Sequence, residues 1–359
     1  MSQNAYLILE NGTYFEGKAF GAEKETLGEL VFTTAMTGYL ETITDPSHYG
    51  QVVLQTFPLI GNYGVISSDK ESDAPTVNAY IVRNWCQAPS NFRCEGDLDT
   101  FLKNTNVPGI YDIDTRALTR IIREKGVTNC KVTYTLDNLD KDIEETKNYK
   151  VENPVAKVTS TETKVIESET HDYKVTVVNY GVKNSICEAL VSRGCDVTVV
   201  PSTATADEIA ATNPDGILLS NGPGNPTDNV EAINQLKALC EKKIPTFGVC
   251  LGHQLLALSQ GATSSKLNHG HRGEAQPVKE VKTGRVYPTS QNHGYIINSD
   301  SIPENATEIY VNANDATCEG IEYTNMPAFS VQFVPGSCGG PCDTAFVFDR
   351  FIEMMKNNK

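Results

Sequence analysis

Two α/β domains are expected: a β-rich domain at the N-terminus and, after it, a doubly wound, mostly parallel sheet. Three observations lead there. At 359 residues the chain is longer than one ordinary core accommodates. Short β-branched and aromatic runs bounded by turn residues dominate its first 150 positions. After Tyr173, strand-like runs alternate with helical periodicity through short loops, the pattern of a parallel sheet with helices on both faces.

The first domain is assigned to 1–150. Runs at 6–9 and 14–17 flank Asn11-Gly12, a strong hairpin signal. Further strands are expected at 29–33, 51–55 and 79–82. Helices are expected at 98–104 and 114–124, the second capped by Asp112 or Asp114. Positions 151–172 turn polar and charged and read as a linker, partly strand. The second domain is assigned to 173–359. Its strands are expected at 174–179, 196–200, 216–220 and 246–249. Helices follow each of them: one carrying Val182, Ile186, Ala189 and Leu190, then 205–211, 228–242 and 251–259. Thr205 and Glu208 are spaced as a capping box. Short strands are expected across 278–331. A last helix, 344–356, places Phe348, Phe351, Ile352 and Met355 on one face.

Composition narrows the function. Thirty basic against forty-five acidic residues give a net charge of −15. Nucleic acid and anionic membrane are therefore not expected partners, because either needs a dense Lys/Arg face. No basic segment followed by an apolar stretch opens the chain, so a cytoplasmic location is expected. The uncharged run between Lys243 and Lys266 contains His, Gln, Ser, Pro and Gly and reads as a buried strand-loop-helix. The ten cysteines are expected as free thiols. Cys338 and Cys342 lack a second ligand pair, and no metal is expected.

The sharpest local feature is Gly248-Val249-Cys250-Leu251-Gly252, a strand running into a helix through small residues. This is the sulfur counterpart of a nucleophile elbow: the tight turn lifts Cys250 out of the sheet. The helix beneath favours the thiolate and offers N–H groups to an oxyanion. A buried structural Cys beside two loop glycines is the alternative. A second loop, Ser220-Asn221-Gly222-Pro223-Gly224-Asn225-Pro226, leaves the preceding strand. In a doubly wound sheet such loops form the site. No phosphate-binding P-loop is present, and Gly222-Pro223-Gly224 lacks the third glycine of a dinucleotide fingerprint.

With His253-Gln254 added, these two segments resemble the class I (triad) glutamine amidotransferases, and the sheet is expected to be of that type. Further segments narrow the resemblance: Gln291-Asn292-His293-Gly294-Tyr295, Gly270-His271-Arg272-Gly273, Thr37-Gly38-Tyr39, Thr44-Asp45-Pro46-Ser47, Gly61-Asn62-Tyr63-Gly64 and Asp112-Ile113-Asp114-Thr115-Arg116. Together they resemble, almost end to end, the small-subunit family of carbamoyl-phosphate synthetase. The resemblance implies hydrolysis of L-glutamine to glutamate and ammonia. The ammonia would pass to a large synthetase subunit that uses ATP and bicarbonate, in service of pyrimidine and arginine biosynthesis. It implies Cys250 as the nucleophile, with Gly222 and Leu251 lending N–H groups to the oxyanion. Ser47, Gly224, Gln254, Asn292, Gly294 and Tyr295 would hold the glutamine; at the last of these another aromatic is also common. No cofactor is expected in this chain; ATP and Mg are expected on the large subunit.

The chain departs from the family pattern where the triad is completed, at Gln-x-His-Pro-Glu. Here Gln332, Pro335 and Pro341 hold the register, so Val334 stands at the His position and Gly336 at the Glu position. The six histidines lie at 48, 171, 253, 269, 271 and 293, and none follows. Gly273-Glu274-Ala275-Gln276-Pro277 also departs, where the family usually has Asn-His before the proline. Three readings follow: an active glutaminase with a relocated base, His253 and His293 being nearest in sequence; a glutaminase-deficient subunit that binds glutamine or completes an ammonia-dependent complex; or an altered version of an active ancestor.

Overall fold

The computed structural model describes residues 3–336 and 339–358. Two units divide between Glu152 and Asn153. Cys338, half of the Cys338/Cys342 pair, lies outside the described residues.

In the first unit the β-rich reading becomes a closed barrel. Its strands run in the order Asn4–Leu9, Tyr14–Gly21, Pro108–Tyr111, Ala79–Ile81, Gln51–Gln55, Thr26–Thr33 and Thr128–Thr133. Leu7, Leu30, Val52, Leu54, Ile81, Ile110 and Val132 point inward and are fully buried. The hairpin at Asn11-Gly12 forms as expected. Asp114, not Asp112, caps helix Thr115–Lys125 by accepting from the Ala117 amide at 2.9 Å. The strand Thr128–Thr133 was not legible in the sequence, because Lys131 interrupts its apolar alternation. That lysine is nonetheless buried, its ammonium on Asp142 Oδ1 at 2.6 Å and Glu145 Oε2 at 2.8 Å. The barrel could not close without this strand, which pairs with both Asn4–Leu9 and Thr26–Thr33.

The second unit is built on a ten-stranded sheet. Cys195–Pro201, Tyr173–Asn179, Gly216–Leu219, Thr246–Val249 and Ala328–Val331 are parallel neighbours in that order. Antiparallel strands Cys318–Tyr323, Ala306–Asn312, Ser264–Glu280 and Val286–Ile297 extend one side. The segment read as linker carries helix Pro154–Val158 and strand Lys164–Ile166, which pairs antiparallel with Cys195–Pro201 as the opposite edge.

Alternating side chains divide the apolar residues between two layers. Leu218, Phe247 and Phe329 pack under helices Asn184–Val191 and Phe346–Asn357. Ile217 and Leu219 pack under Ala206–Ala211, Val230–Glu241 and Leu251–Ser259. Phe247 anchors the first layer, stacked on Phe329 at 4.7 Å and edge-on to Phe348 at 5.9 Å. In the second, His253 of helix Leu251–Ser259 is fully buried and ties the helix to the sheet, Nδ1 lying 2.8 Å from Ser330 Oγ. Burial alone depresses the His253 imidazole to about 3.

Two outcomes are expected. Phe247→Ala removes the hub of the first layer and lowers stability by about 3–5 kcal/mol, measured as a shifted denaturation midpoint. The His253 value lies below that of an unfolded chain, so acid protonates the unfolded state first. Its stabilising contribution is complete above pH of about 6.5 and is lost as pH falls toward 3. Between pH of about 6 and 4 this adds a slope of about 1.4 kcal/mol per pH unit. A stability–pH curve of His253→Gln should lack that slope.

Candidate active site

Strand Thr246–Val249 lies between Gly216–Leu219 and Ala328–Val331. Parallel pairing therefore brings three loops to one edge of the sheet: the one opening at Ser220, the turn at Cys250, and the segment after Val331 that holds Val334 and Gly336.

Cys250 has φ 53° and ψ −107° and stands immediately before helix Leu251–Ser259. A β-carbon-bearing residue is seldom found at this φ and persists there only when its surroundings over-determine it. Here the Cys250 amide donates to the Val331 carbonyl at 2.9 Å, and the Gly252 amide donates to the Ser220 carbonyl at 2.9 Å. Each flanking strand thus grips one side of the turn. Gly252 has no alternative, because a β-carbon there would run into the Leu219 carbonyl. Gly222 is likewise pressed against the Tyr180 carbonyl and Leu251. Its loop is locked by Ser220 Oγ, which accepts from the Tyr180 amide at 2.9 Å, and by Asn221 Nδ2, which donates to the Gly181 carbonyl at 2.9 Å. The first amides of a helix have no intrahelical acceptor, so Leu251 N–H is available to a ligand by geometry.

The antiparallel extension supplies the opposite wall. Cys250 Sγ lies 3.8 Å from the Asn292 carbonyl. Gln254 Nε2 donates to the Tyr295 carbonyl at 2.7 Å and to Gln332 Oε1 at 2.9 Å, joining helix, strand and the segment leading to Val334. Asn292 Nδ2 is buried without a hydrogen-bond partner. Gly294 lies beside the Arg272 guanidinium, and the Tyr295 ring faces Lys266 Nζ at 5.9 Å. Gly224 has φ 91° and packs on Pro154. Cys250, Gly222, Leu251, Gln254, Asn292 and Tyr295 are thus linked through one set of neighbouring loops and strands. Ser47 belongs to the first unit, where it is buried in the turn Pro46–His48 and its amide donates to Asp45 Oδ1 at 2.8 Å.

Val334 and Gly336, read in the sequence at the His and Glu positions of the family pattern, lie in the segment after Val331. Val334 is buried in the same apolar cluster as Cys250, and its amide donates to the Ser290 carbonyl at 3.0 Å. Gly336 takes φ 61°. His253 is enclosed between its helix and Ser330. His293 is held from both nitrogens, Nδ1 at 2.8 Å from the Tyr295 carbonyl and Nε2 at 3.0 Å from Gln291 Oε1. Burial first, and His271 second, hold the His293 imidazole well below its usual range.

One residue acquires a place only here. Between the pairs Gly273–Gln291 and Gln276–Thr289, Glu274 and Ala275 together oppose Ser290, a two-against-one bulge. Glu274 Oε2 accepts from Ser290 Oγ at 2.7 Å, while on its other side Ser290 bridges to Val334. The departure at 273–277 marked this segment in the sequence, but its position one strand from Val334 depends on the bulge.

Comparison with known proteins follows the same two-part division. Residues 7–132 match the family model described as carbamoyl-phosphate synthase small chain, CPSase domain. Residues 175–354 match glutamine amidotransferase class-I. The chain is 47% identical over 349 residues to the carbamoyl phosphate synthase small chain of Clostridium perfringens, covering 97% of this chain and 99% of that protein. It is 46% identical to the protein of the same name from Fusobacterium nucleatum, covering 99% of each. It is also 46% identical to that from Lactococcus lactis, covering 98% of each. Similarity of this extent across both units means that the chain belongs to the carbamoyl-phosphate synthase small chain family, with a class I glutamine amidotransferase domain as its second half.

Proposed function

We propose that this chain is the glutamine-binding small subunit of a two-subunit carbamoyl-phosphate synthase and that its own hydrolytic step is severely slowed. The observation that carries the reading is the pairing of a held nucleophile turn at Cys250 with a buried valine at the position of the general base.

The chemistry divides at that point. Cys250 Sγ would attack the carboxamide carbon of glutamine, with Leu251 and Gly222 N–H groups receiving the developing oxyanion. Asn292 Nδ2, buried and unpartnered, offers a donor to the substrate, and Gln254, Gly224, Gly294 and Tyr295 would complete its recognition. Collapse of the tetrahedral adduct breaks the C–N bond, and the departing nitrogen must gain a proton. A γ-glutamyl thioester remains, and water must lose a proton to cleave it. An imidazole would carry both protons; Val334 carries neither. General acid–base help of this kind is worth about 10² to 10⁴ in rate. The large subunit would then work on ammonia as well as, or instead of, glutamine. ATP and Mg would bind there, which agrees with the missing P-loop here.

Val334→His/Gly336→Glu tests the reading. Assembled with its large subunit, the double variant should release glutamate at least about 10²-fold faster than the natural chain. Equal rates would instead mean that another group moves the protons, and Glu274, opposite Ser290, is the first to replace. The intact turn makes a separate claim. An electrophilic glutamine analogue should label Cys250, detected by peptide mass spectrometry. Cys250→Ala should abolish the label and leave ammonia-dependent carbamoyl phosphate formation unchanged.

A further inference from the structure

Among the described residues, one buried polar cluster has no part in the chemistry above: His271 on strand Ser264–Glu280, His293 on Val286–Ile297 and Glu319 on Cys318–Tyr323. One potential ligand atom from each lies within 4.8 Å of the others. Glu319 is fully buried, and His271 is 9% exposed.

The partners of each ring decide where its lone pair points. His271 Nε2 lies 2.9 Å from Asp315 Oδ2, and His293 Nδ1 lies 2.8 Å from the Tyr295 carbonyl. Both partners are acceptors, so these nitrogens carry the protons. The inward nitrogens, His271 Nδ1 and His293 Nε2, are left with lone pairs. His271 Nδ1 is buried without a hydrogen-bond partner, 3.5 Å from Glu319 Oε1. His293 Nε2 faces Gln291 Oε1 at 3.0 Å. Turning the Gln291 amide over does not help. It would aim its oxygen at Glu319 Oε2, to which Gln291 Nε2 now donates at 2.9 Å. Lone pairs confront one another in either orientation unless a proton or a metal ion stands among them.

We infer that His271, His293 and Glu319 bind a divalent metal ion of the zinc class. Two imidazoles and a carboxylate are a zinc donor set. The outer N–H of a metal-bound histidine is commonly held by a carboxylate or a backbone carbonyl, as Asp315 and Tyr295 hold these two. Asn312 Nδ2 donates to Glu319 Oε1 at 3.1 Å and orients the carboxylate in the same way. Charge balances as well: a dication meets Glu319 and Asp315 and two neutral rings. Donor atoms about 2.0–2.2 Å from zinc sit closer together than these, so side chains must close by roughly an ångström. The ion would pin strands Ser264–Glu280 and Val286–Ile297 to Cys318–Tyr323, and with them the Asn292 carbonyl that meets Cys250 Sγ. This claim stands apart from whether glutamine is hydrolysed.

The test is metal content of the full chain after loading with zinc and desalting. About one equivalent should remain. Cobalt substitution should give visible d–d bands without sulfur-to-metal charge transfer. His271→Ala should lose the metal. Asp315→Asn, at a partly exposed side chain, should weaken zinc binding by about 10- to 100-fold. Background metal in the natural chain would overturn the inference and leave a proton as the cation. So would full retention by both variants, or a thiolate charge-transfer band that assigns the metal to cysteine.

Discussion

One backbone conformation organises the second unit. Cys250 is held at φ 53° by hydrogen bonds to the strands on either side of its own, through the Val331 and Ser220 carbonyls. A turn this strained survives only between neighbours that are themselves rigid. The central position of Thr246–Val249 supplies them, because its residues pair on both edges and its side chains are buried on both faces. The loop opening at Ser220 and the segment of Val334 are brought to Cys250 by the same pairing. The stability of the Phe247 layer is therefore also the precision of the site.

That dependence runs one way. The scaffold needs the aromatic layer, the glycines of the turn and the His253 clasp, but it does not need an imidazole at 334. Valine there is buried among apolar neighbours, and its amide keeps the bridge to Ser290. The bulge at Glu274 adds a polar contact to Ser290 along this edge.

The antiparallel extension does more than widen the sheet. It carries Asn292, Gly294 and Tyr295 on one strand and gathers two histidines and a buried glutamate. Buried polar groups are tolerated when their donors and acceptors match. At His271 Nδ1 and His293 Nε2 they match only once a proton or the inferred metal ion stands among them.

Much of this was legible in the chain itself. Period-2 and period-3.6 patterns located the parallel strands and their helices, because each element buries one face and the pattern records it. Glycine spacing around Cys250 and along Ser220–Pro226 announced tight turns, because only small residues fit there. That no histidine follows 293 was legible too. The rest required three dimensions. Lys131 hid a barrel strand because its partners, Asp142 and Glu145, lie on a later helix. The pairing of the linker strand as a sheet edge, the bulge that turns Glu274 toward Ser290, and the meeting of His271, His293 and Glu319 all depend on register between distant segments. Local sequence records what each residue prefers, and only the folded sheet decides which distant residues become neighbours.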